Sequence, residues 1–196
     1  MLPVAAVCSD VVKMLRQTAR VILSAPPGAG KSTYLPLYLL QHESLQGKLI
    51  VMLEPRRLAA RSIAAYLALQ LGEAVGQTVG YQIRQEQKSS DATRLLIVTE
   101  GVLTRKIQHD PELQSVDILI FDEFHERSLH ADLALALVRE VQQLRDDLHV
   151  LIMSATLDVS GLSKQLDAPV ISSEGRAFPV DIRYIAPDGT PVWQQC

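Results

Sequence analysis

Short apolar segments rich in β-branched residues recur along the chain. They are residues 21–25 (VILSA), 48–54 (KLIVMLE), 78–83 (TVGYQI), 94–99 (RLLIVT), 118–123 (ILIFDE), 149–155 (HVLIMSA) and 169–173 (PVISS). Several of them are apolar almost throughout instead of alternating, which is typical of parallel strands that are covered on both faces. These segments therefore predict the strands of a mostly parallel sheet.

Helical patterns lie between the apolar segments. The clearest extends from about Ser128 to Arg145, and others are expected over residues 31–41 and 58–71. The apolar positions of the clearest one recur every three or four residues, at Leu129, Leu133, Leu137, Val141 and Leu144. Strands that alternate with helices predict right-handed crossovers and a three-layer α/β/α fold. In such folds ligands bind at the carboxyl ends of the strands.

A glycine-rich segment, residues 25–33 (APPGAGKST), follows the first predicted strand and precedes a predicted helix. Gly28 and Gly30 allow the backbone to curl so that consecutive amides point at one anion. Lys31 would then reach the β- and γ-phosphates of a nucleotide, and Ser32 would bind Mg²⁺. The predicted nucleotide-binding residues are Pro27, Gly28, Ala29, Gly30, Lys31, Ser32 and Thr33. The alternative is an ordinary turn with a surface lysine and serine, which the flanking elements disfavour.

Two adjacent carboxylates follow a later apolar segment. Asp122 is expected to hold Mg²⁺ together with Ser32, and Glu123 to polarise the attacking water. His125 is a candidate sensor of the γ-phosphate only because it lies two residues after Glu123. The alternative for this segment is the start of a surface helix. The predicted catalytic residues are Lys31, Asp122, Glu123 and His125.

Composition narrows the class of protein. The 196 residues are 47% hydrophobic and 5% aromatic, which suits one aliphatic α/β domain with a short extension. The net charge of −3 argues against a generally basic coat protein, although a few arginines and main-chain amides can still hold a nucleic-acid backbone. The two cysteines, Cys8 and Cys196, form no metal pattern, and no apolar run approaches the ~20 residues of a membrane span. We therefore expect a cytoplasmic protein without a membrane partner.

With these residues in view, the chain resembles the DEAH-type helicases of superfamily 2, most closely their bacterial HrpB branch. The resemblance covers about residues 2–185. Residues 25–33 look like motif I, and residues 122–125 look like motif II with DEFH in place of DEAH. Ser154 and Thr156 belong to an SAT segment that is similar to motif III. In the family these two residues couple the ATP state to domain closure, and they could equally cap the following turn.

Two further segments resemble the family's nucleic-acid-binding motifs. Residues 54–61 (EPRRLAAR) are similar to motif Ia and residues 99–105 (TEGVLTR) to motif Ib. The nucleic-acid-binding residues that the resemblance implies are Arg56, Arg57, Thr99, Gly101 and Arg105. A hydroxyl and free amides at a strand-to-helix junction can hold a phosphate, which supports this assignment. The alternative for the two adjacent arginines is an ordinary helix N-terminal surface.

The resemblance also implies a domain organisation and a function. Residues 1–185 are expected to form a first RecA-like domain, and residues 186–196 a linker or the start of a second one. The predicted function is that of the ATP-binding domain of an ATP-dependent helicase, with ATP and Mg²⁺ as cofactors. Its expected partners are single-stranded nucleic acid, with RNA favoured over DNA, and the second RecA-like domain of the full-length chain. No QRxGRxGR-like segment occurs in the sequence, so these residues alone are expected to be weakly active. The alternatives are a P-loop kinase and a non-catalytic, nucleotide-switched interaction module.

Overall fold

The structure is a computed structural model that describes residues 2–155 and 159–174. The strands are β1 (Arg20–Ser24), β2 (Ile50–Leu53), β3 (Val79–Ile83), β4 (Glu86–Lys88), β5 (Leu95–Val98), β6 (Ile118–Phe121), β7 (His149–Ser154) and β8 (Val170–Ser172). The α-helices are α1 (Cys8–Gln17), α2 (Tyr34–Gln41), α3 (Arg57–Gln70), α4 (Glu100–His109), α5 (Leu129–Leu144) and α6 (Ser160–Leu166). Short 3-10 turns occupy Pro3–Ala6, Glu43–Leu45 and Phe124–Glu126.

All the strands belong to one sheet in the order β4-β3-β5-β2-β6-β7-β1-β8. Every neighbouring pair is parallel except β3 and β4, which are antiparallel. Helices cover both faces, as the predicted three-layer α/β/α arrangement requires. The carboxyl ends of β1, β2, β5, β6 and β7 consequently meet along one edge of the sheet.

The central strands are apolar throughout because both of their faces are buried. In β2, Ile50 and Met52 pack in a core with α1, α2 and α3. The alternate residues of the same strand, Val51 and Leu53, pack in a second core with α4, α5 and α6. One strand thus contributes to two cores, which explains why its sequence does not alternate between apolar and polar residues.

Helix α5 has the predicted extent but buries a different face. Its buried residues are Ala131, Ala134, Leu135, Val138 and Val141. The predicted apolar series was wrong at Leu129, Leu133 and Leu144, whose exposed fractions are 82%, 45% and 74%. A strict four-residue spacing advances about 40° around the helix at each step, so that series spirals away from the core. The true contact face follows the spacing of three and four residues, with alanines that permit close approach.

Some elements of the fold have no counterpart in the predicted pattern. Strand β4 (sequence EQK) is polar and lies at the sheet edge, and helices α1 and α6 were not predicted.

Within the ranges that the structure describes, no helix combines the length and apolarity needed to cross a membrane. The predicted boundary between residues 185 and 186 lies outside the described residues.

Candidate functional site

The phosphate loop, residues 25–33, connects β1 to α2 and is closed by its own backbone. Gly28 and Gly30 have φ values of +75° and +94°, in the left-handed region that favours glycine. The Gly30 carbonyl accepts hydrogen bonds from the amides of Thr33, Tyr34 and Leu35 at 3.3, 2.8 and 3.3 Å. Helix α2 begins at Tyr34, so the expected helix start at residue 31 was wrong. Lys31, Ser32 and Thr33 form a turn before the helix, with Pro27 and Gly28 exposed at the tip and Ala29 buried.

The N-terminal segment braces this loop, a contact that the sequence analysis missed. The Val4 amide donates to the Ala29 carbonyl at 3.1 Å. A Cβ atom at Gly30 would lie 2.9 Å from Leu2 Cδ1 and 3.2 Å from Val4 Cγ1. Glycine is therefore favoured at position 30 by its φ, and a side chain there would also require Leu2 and Val4 to shift.

Lys31 is buried, and its ammonium group faces the loop itself. Its Nζ donates to the Ala25 carbonyl at 2.7 Å and to the Pro26 carbonyl at 3.1 Å. Burial lowers the pKa of Lys31, while the nearby carboxylates of Glu123 and Asp122 oppose that shift. The ammonium therefore lies between the loop and the carboxylates, where the phosphates of a nucleotide would have to replace the two carbonyl oxygens.

Asp122 follows β6 and has the properties of a cation ligand. Its Oδ1 accepts the Glu123 amide at 2.9 Å, while its Oδ2 is buried and has no partner among the described residues. Burial raises the pKa of Asp122 to about 6, and a hydrogen bond with Ser32 opposes the shift. The structure thus brings Ser32 and Asp122 together as predicted. An unsatisfied buried carboxylate oxygen beside a hydroxyl suits Mg²⁺, which takes few protein oxygens and completes its shell with phosphates and waters.

Glu123 and His125 connect the acidic segment to the end of β7. Glu123 has φ 49° and ψ 35°, a left-handed conformation that is unusual for a residue with a side chain. The Ala155 amide donates to His125 Nδ1 at 3.2 Å, and His125 Nε2 lies 3.4 Å from Glu123 Oε2. Because Nδ1 is the acceptor, the ring proton of neutral His125 is on Nε2 and faces the Glu123 carboxylate. Ser154 is buried beside this contact at the end of β7, whereas Thr156 lies outside the described residues.

Farther along the same edge lies an open cleft of about 430 Å³, which we call the basic cleft. It is lined by Pro55, Arg57, Arg84, Thr99, Glu100, Gly101, Val102, Arg105 and His130. Four predicted nucleic-acid-binding residues, Arg57, Thr99, Gly101 and Arg105, therefore come together. A Cβ at Gly101 would meet no atom within 4 Å, so open space lies over the first turn of α4.

The remaining predicted residue of this group, Arg56, does not line the basic cleft. Its guanidinium forms an ion pair with Glu126, at the end of the 3-10 turn after Glu123. Sequence reasoning also missed Arg84 and His130 as lining residues. Arg84 could have been suspected because it directly follows a predicted strand, but nothing in the local sequence of His130 distinguishes it from a surface histidine.

Glu54, the residue that follows β2, was also missed. Its exposed fraction is only 3%, and its Oε1 accepts the Arg56 amide at 3.1 Å. Burial, reinforced by the charge of Asp122, raises the pKa of Glu54 to about 7. The available signal was an acidic residue at the end of a predicted strand. Its position beside Asp122 depends on the pairing of β2 with β6.

The chain matches known helicases over most of its length. A family model described as DEAD/DEAH box helicase matches residues 6–164. The chain is 60% identical over 186 residues to the ATP-dependent RNA helicase HrpB of Escherichia coli (strain K12), covering 94% of this chain and 23% of that protein. It is 37% identical over 187 residues to the ATP-dependent RNA helicase HrpA of Borreliella burgdorferi, covering 95% of this chain and 23% of that protein.

A solved structure agrees with these sequence matches. The crystal structure of Escherichia coli DEAH/RHA helicase HrpB superposes with a TM-score of 0.91 at 57% identity, and the match covers 98% of this chain and 25% of that one. The chain thus spans about a quarter of the length of these relatives. The predicted RecA-like fold and family resemblance are confirmed. The chain belongs to the DEAD/DEAH box helicase family.

Proposed function

We propose that this chain is the ATP-binding domain of an ATP-dependent RNA helicase, which hydrolyses ATP to ADP and phosphate to move along a single strand. The observation that carries the proposal is the position of two different sites on one edge of the sheet. Lys31, Ser32, Asp122 and Glu123 form a phosphate and metal site at one part of the edge. The basic cleft opens at the other part.

Each residue of the ATP site would have its own role in nucleotide binding or hydrolysis. Lys31 would exchange its two carbonyl partners for the β- and γ-phosphates. Ser32 and Asp122 would hold Mg²⁺, which supplies charge stabilisation to the phosphate oxygens. Glu123 would orient the attacking water, and the Nε2–H group of His125 would hold the Glu123 carboxylate in place.

The basic cleft suits the backbone of a nucleic acid. Arg57 and Arg105 provide exposed positive charge, and Gly101 leaves room for a phosphate at the start of α4. His125, which accepts the Ala155 amide, and Ser154, the preceding residue at the end of β7, would couple the ATP state to domain movement. RNA is the favoured substrate because both named relatives are RNA helicases.

A second RecA-like domain of the full-length chain would complete the ATP site. Among the described residues, the two arginines beside the acidic turn are already paired, Arg56 with Glu126 and Arg127 with Asp132. The arginine finger that stabilises charge on the γ-phosphate would come from that second domain. A cytoplasmic location is part of the proposal, in keeping with the buried free thiol of Cys8.

The two rival functions have weaker support. A P-loop kinase would not need the basic cleft or the contact between His125 and the end of β7. A non-catalytic switch would not need Glu123, which the fold maintains in an unfavourable backbone conformation.

The deciding experiment compares ATP turnover by the 196-residue chain and by the full-length protein, with and without single-stranded RNA. We expect RNA-stimulated hydrolysis and strand displacement only from the full-length protein. The 196-residue chain should bind ATP but turn it over about 10³-fold more slowly, because an arginine finger is worth that much in P-loop enzymes. Robust RNA-stimulated hydrolysis by the short chain would contradict the two-domain proposal. Absence of RNA stimulation in the full-length protein would contradict the helicase proposal.

A further inference from the structure

The Arg56 guanidinium contacts the 3-10 turn Phe124–Glu126 and not the basic cleft, although Arg57 beside it lines that cleft. Two acidic residues hold it there. Its amide donates to Glu54 at 3.1 Å, and its guanidinium pairs with Glu126. The Arg56 side chain remains 71% exposed, so another anion can reach it without any rearrangement of the core. The ion pair is therefore a contact that a phosphate of a bound strand could displace.

Glu126 lies at the end of a turn whose backbone conformation is unfavourable at both ends. Glu123, before the turn, has φ 49°, and Arg127, after it, has φ 44°. A non-glycine residue is strained in this region, so tertiary contacts must hold the turn in place. Inside the fold, Phe124 packs edge-on against Phe121 with ring centroids 6.0 Å apart. At the surface, the ion pairs Arg56–Glu126 and Arg127–Asp132 perform the same task, and the Arg127 guanidinium lies 5.5 Å from the centroid of the Phe124 ring.

The same turn positions the group that would orient water. Glu123 begins it, and His125 within it contacts both Glu123 and the Ala155 amide. A displacement of Glu126 consequently acts on Glu123 through three peptide units. This path is short, and it connects two segments that are 70 residues apart in the sequence.

We propose that the Arg56–Glu126 ion pair is a latch that restrains Glu123 until a nucleic-acid phosphate takes Arg56. Release of Glu126 removes one of the two ion pairs that hold this turn at the surface, so the unfavourable backbone can relax and bring Glu123 to the water. Glu126 is on this account a positioning residue that couples strand binding to hydrolysis. The inference rests on the proposed function and specifies how its two sites communicate.

The test uses the full-length protein and measures two quantities for each variant. One is the affinity for labelled single-stranded oligo(U), from fluorescence anisotropy. The other is ATP turnover without RNA and with saturating oligo(U). Glu126→Gln should raise the RNA-free turnover severalfold and reduce the stimulation by RNA. It should also tighten oligo(U) binding about two- to fivefold, the range expected when an exposed ion pair no longer competes for Arg56.

Two further variants separate the latch from a general loss of structure. Asp147→Asn breaks the ion pair between Arg145 and the exposed Asp147 before β7 and should behave like the wild type in both measurements. The double variant Arg56→Glu with Glu126→Arg restores an ion pair of inverted polarity. It should return RNA-free turnover to the wild-type value while oligo(U) binding is weakened and the stimulation by RNA is lost. Arg56→Glu alone should leave RNA-free turnover high.

The outcomes distinguish this inference from the proposed function. A wild type that RNA does not stimulate contradicts the proposed function, and the latch with it. A stimulated wild type with unchanged RNA-free turnover in Glu126→Gln overturns the latch alone, even if oligo(U) binds more tightly. The latch is also overturned if the double variant Arg56→Glu with Glu126→Arg has the same RNA-free turnover as Arg56→Glu alone.

Discussion

The proposed ATP site and the basic cleft lie on one edge of one sheet, but the charged side chains of the first are buried and those of the second are exposed. Lys31 and Asp122 are 4% and 3% exposed, and each faces oppositely charged or polar groups of the fold. Arg57 and Arg105 are exposed and line an open cleft. A buried charge is costly unless it is paired, whereas an exposed charge is screened and inexpensive. We therefore expect large effects from substitutions in the ATP site and graded, salt-dependent effects from those in the cleft.

The largest effect should come from Glu123→Gln in the full-length protein. ATP binding should persist while turnover falls about 10³-fold, because general-base catalysis contributes about 10²–10⁴ and the amide cannot accept the proton. Steady-state hydrolysis beside a nucleotide titration measures both quantities. Glu140→Gln, on the exposed face of α5, is the matched control. Equal losses of binding and turnover would assign Glu123 a structural role.

Lys31→Ala should have the next largest effect, on nucleotide affinity. Hydrogen bonds to a charged group contribute about 1.5–3 kcal/mol, so ATP should bind roughly 10- to 100-fold more weakly. Isothermal titration calorimetry with ATP and Mg²⁺ measures the change. Lys48→Ala removes a lysine that pairs with Asp117 before β6 and should leave affinity unaltered. Equal affinities in the two variants would remove Lys31 from the ATP site.

The raised pKa of Glu54 predicts how the free energy of unfolding depends on pH. Its folded-state pKa of about 7 lies above the ordinary value of 4.5, so its contribution to stability is full below pH 4.5 and is lost as pH rises through 7. The loss should be on the order of 3 kcal/mol for the nucleotide-free chain. Urea unfolding between pH 5 and pH 8 should show a flatter profile for Glu54→Gln than for the wild type. The exposed Glu43→Gln should keep the wild-type slope, and an equal slope in Glu54→Gln would show that Glu54 is ionised in the fold.

The smallest effect should come from Arg57→Gln, in the exposed basic cleft. Oligo(U) should bind about three- to tenfold more weakly, and the slope of log affinity against log salt should fall by about one. RNA-free ATP turnover should not change. Arg16→Gln, an exposed arginine near the end of α1, serves as control in anisotropy titrations at several salt concentrations. A salt slope that stays constant in Arg57→Gln would place the strand elsewhere.

The sequence could predict features that depend on local interactions, but not those that depend on contacts between distant segments. The central strands were predictable because burial on both faces leaves an apolar run, as in β2 and β6. The phosphate loop and the Asp122–Glu123 pair were predictable because each is a contiguous segment whose chemistry is local. Strand β4 was not, since its three polar residues are a strand only through pairing with β3.

The contacts that distinguish the two sites depend on tertiary structure. Arg56 and Arg57 are adjacent and chemically alike, so no local pattern could assign one to Glu126 and the other to the basic cleft. His130 reaches the cleft only because α5 begins beside α4. The buried face of α5 was missed because five apolar residues at near-helical spacing gave a stronger signal than the alanines that actually make the contact.

The contact between the N-terminal segment and the phosphate loop has a consequence for the design of recombinant proteins. Leu2 and Val4 contact the space beside Gly30, and Val4 holds the Ala29 carbonyl. Removing Val4 would take a fully buried side chain out of the core that contains α1, whereas fusing a bulky tag directly before Leu2 would leave the sheet and both cores intact. The tagged protein would keep its fold while its loop lost part of the support that preshapes it for phosphate. A recombinant preparation that is well folded but binds ATP poorly should therefore be checked first at its amino terminus.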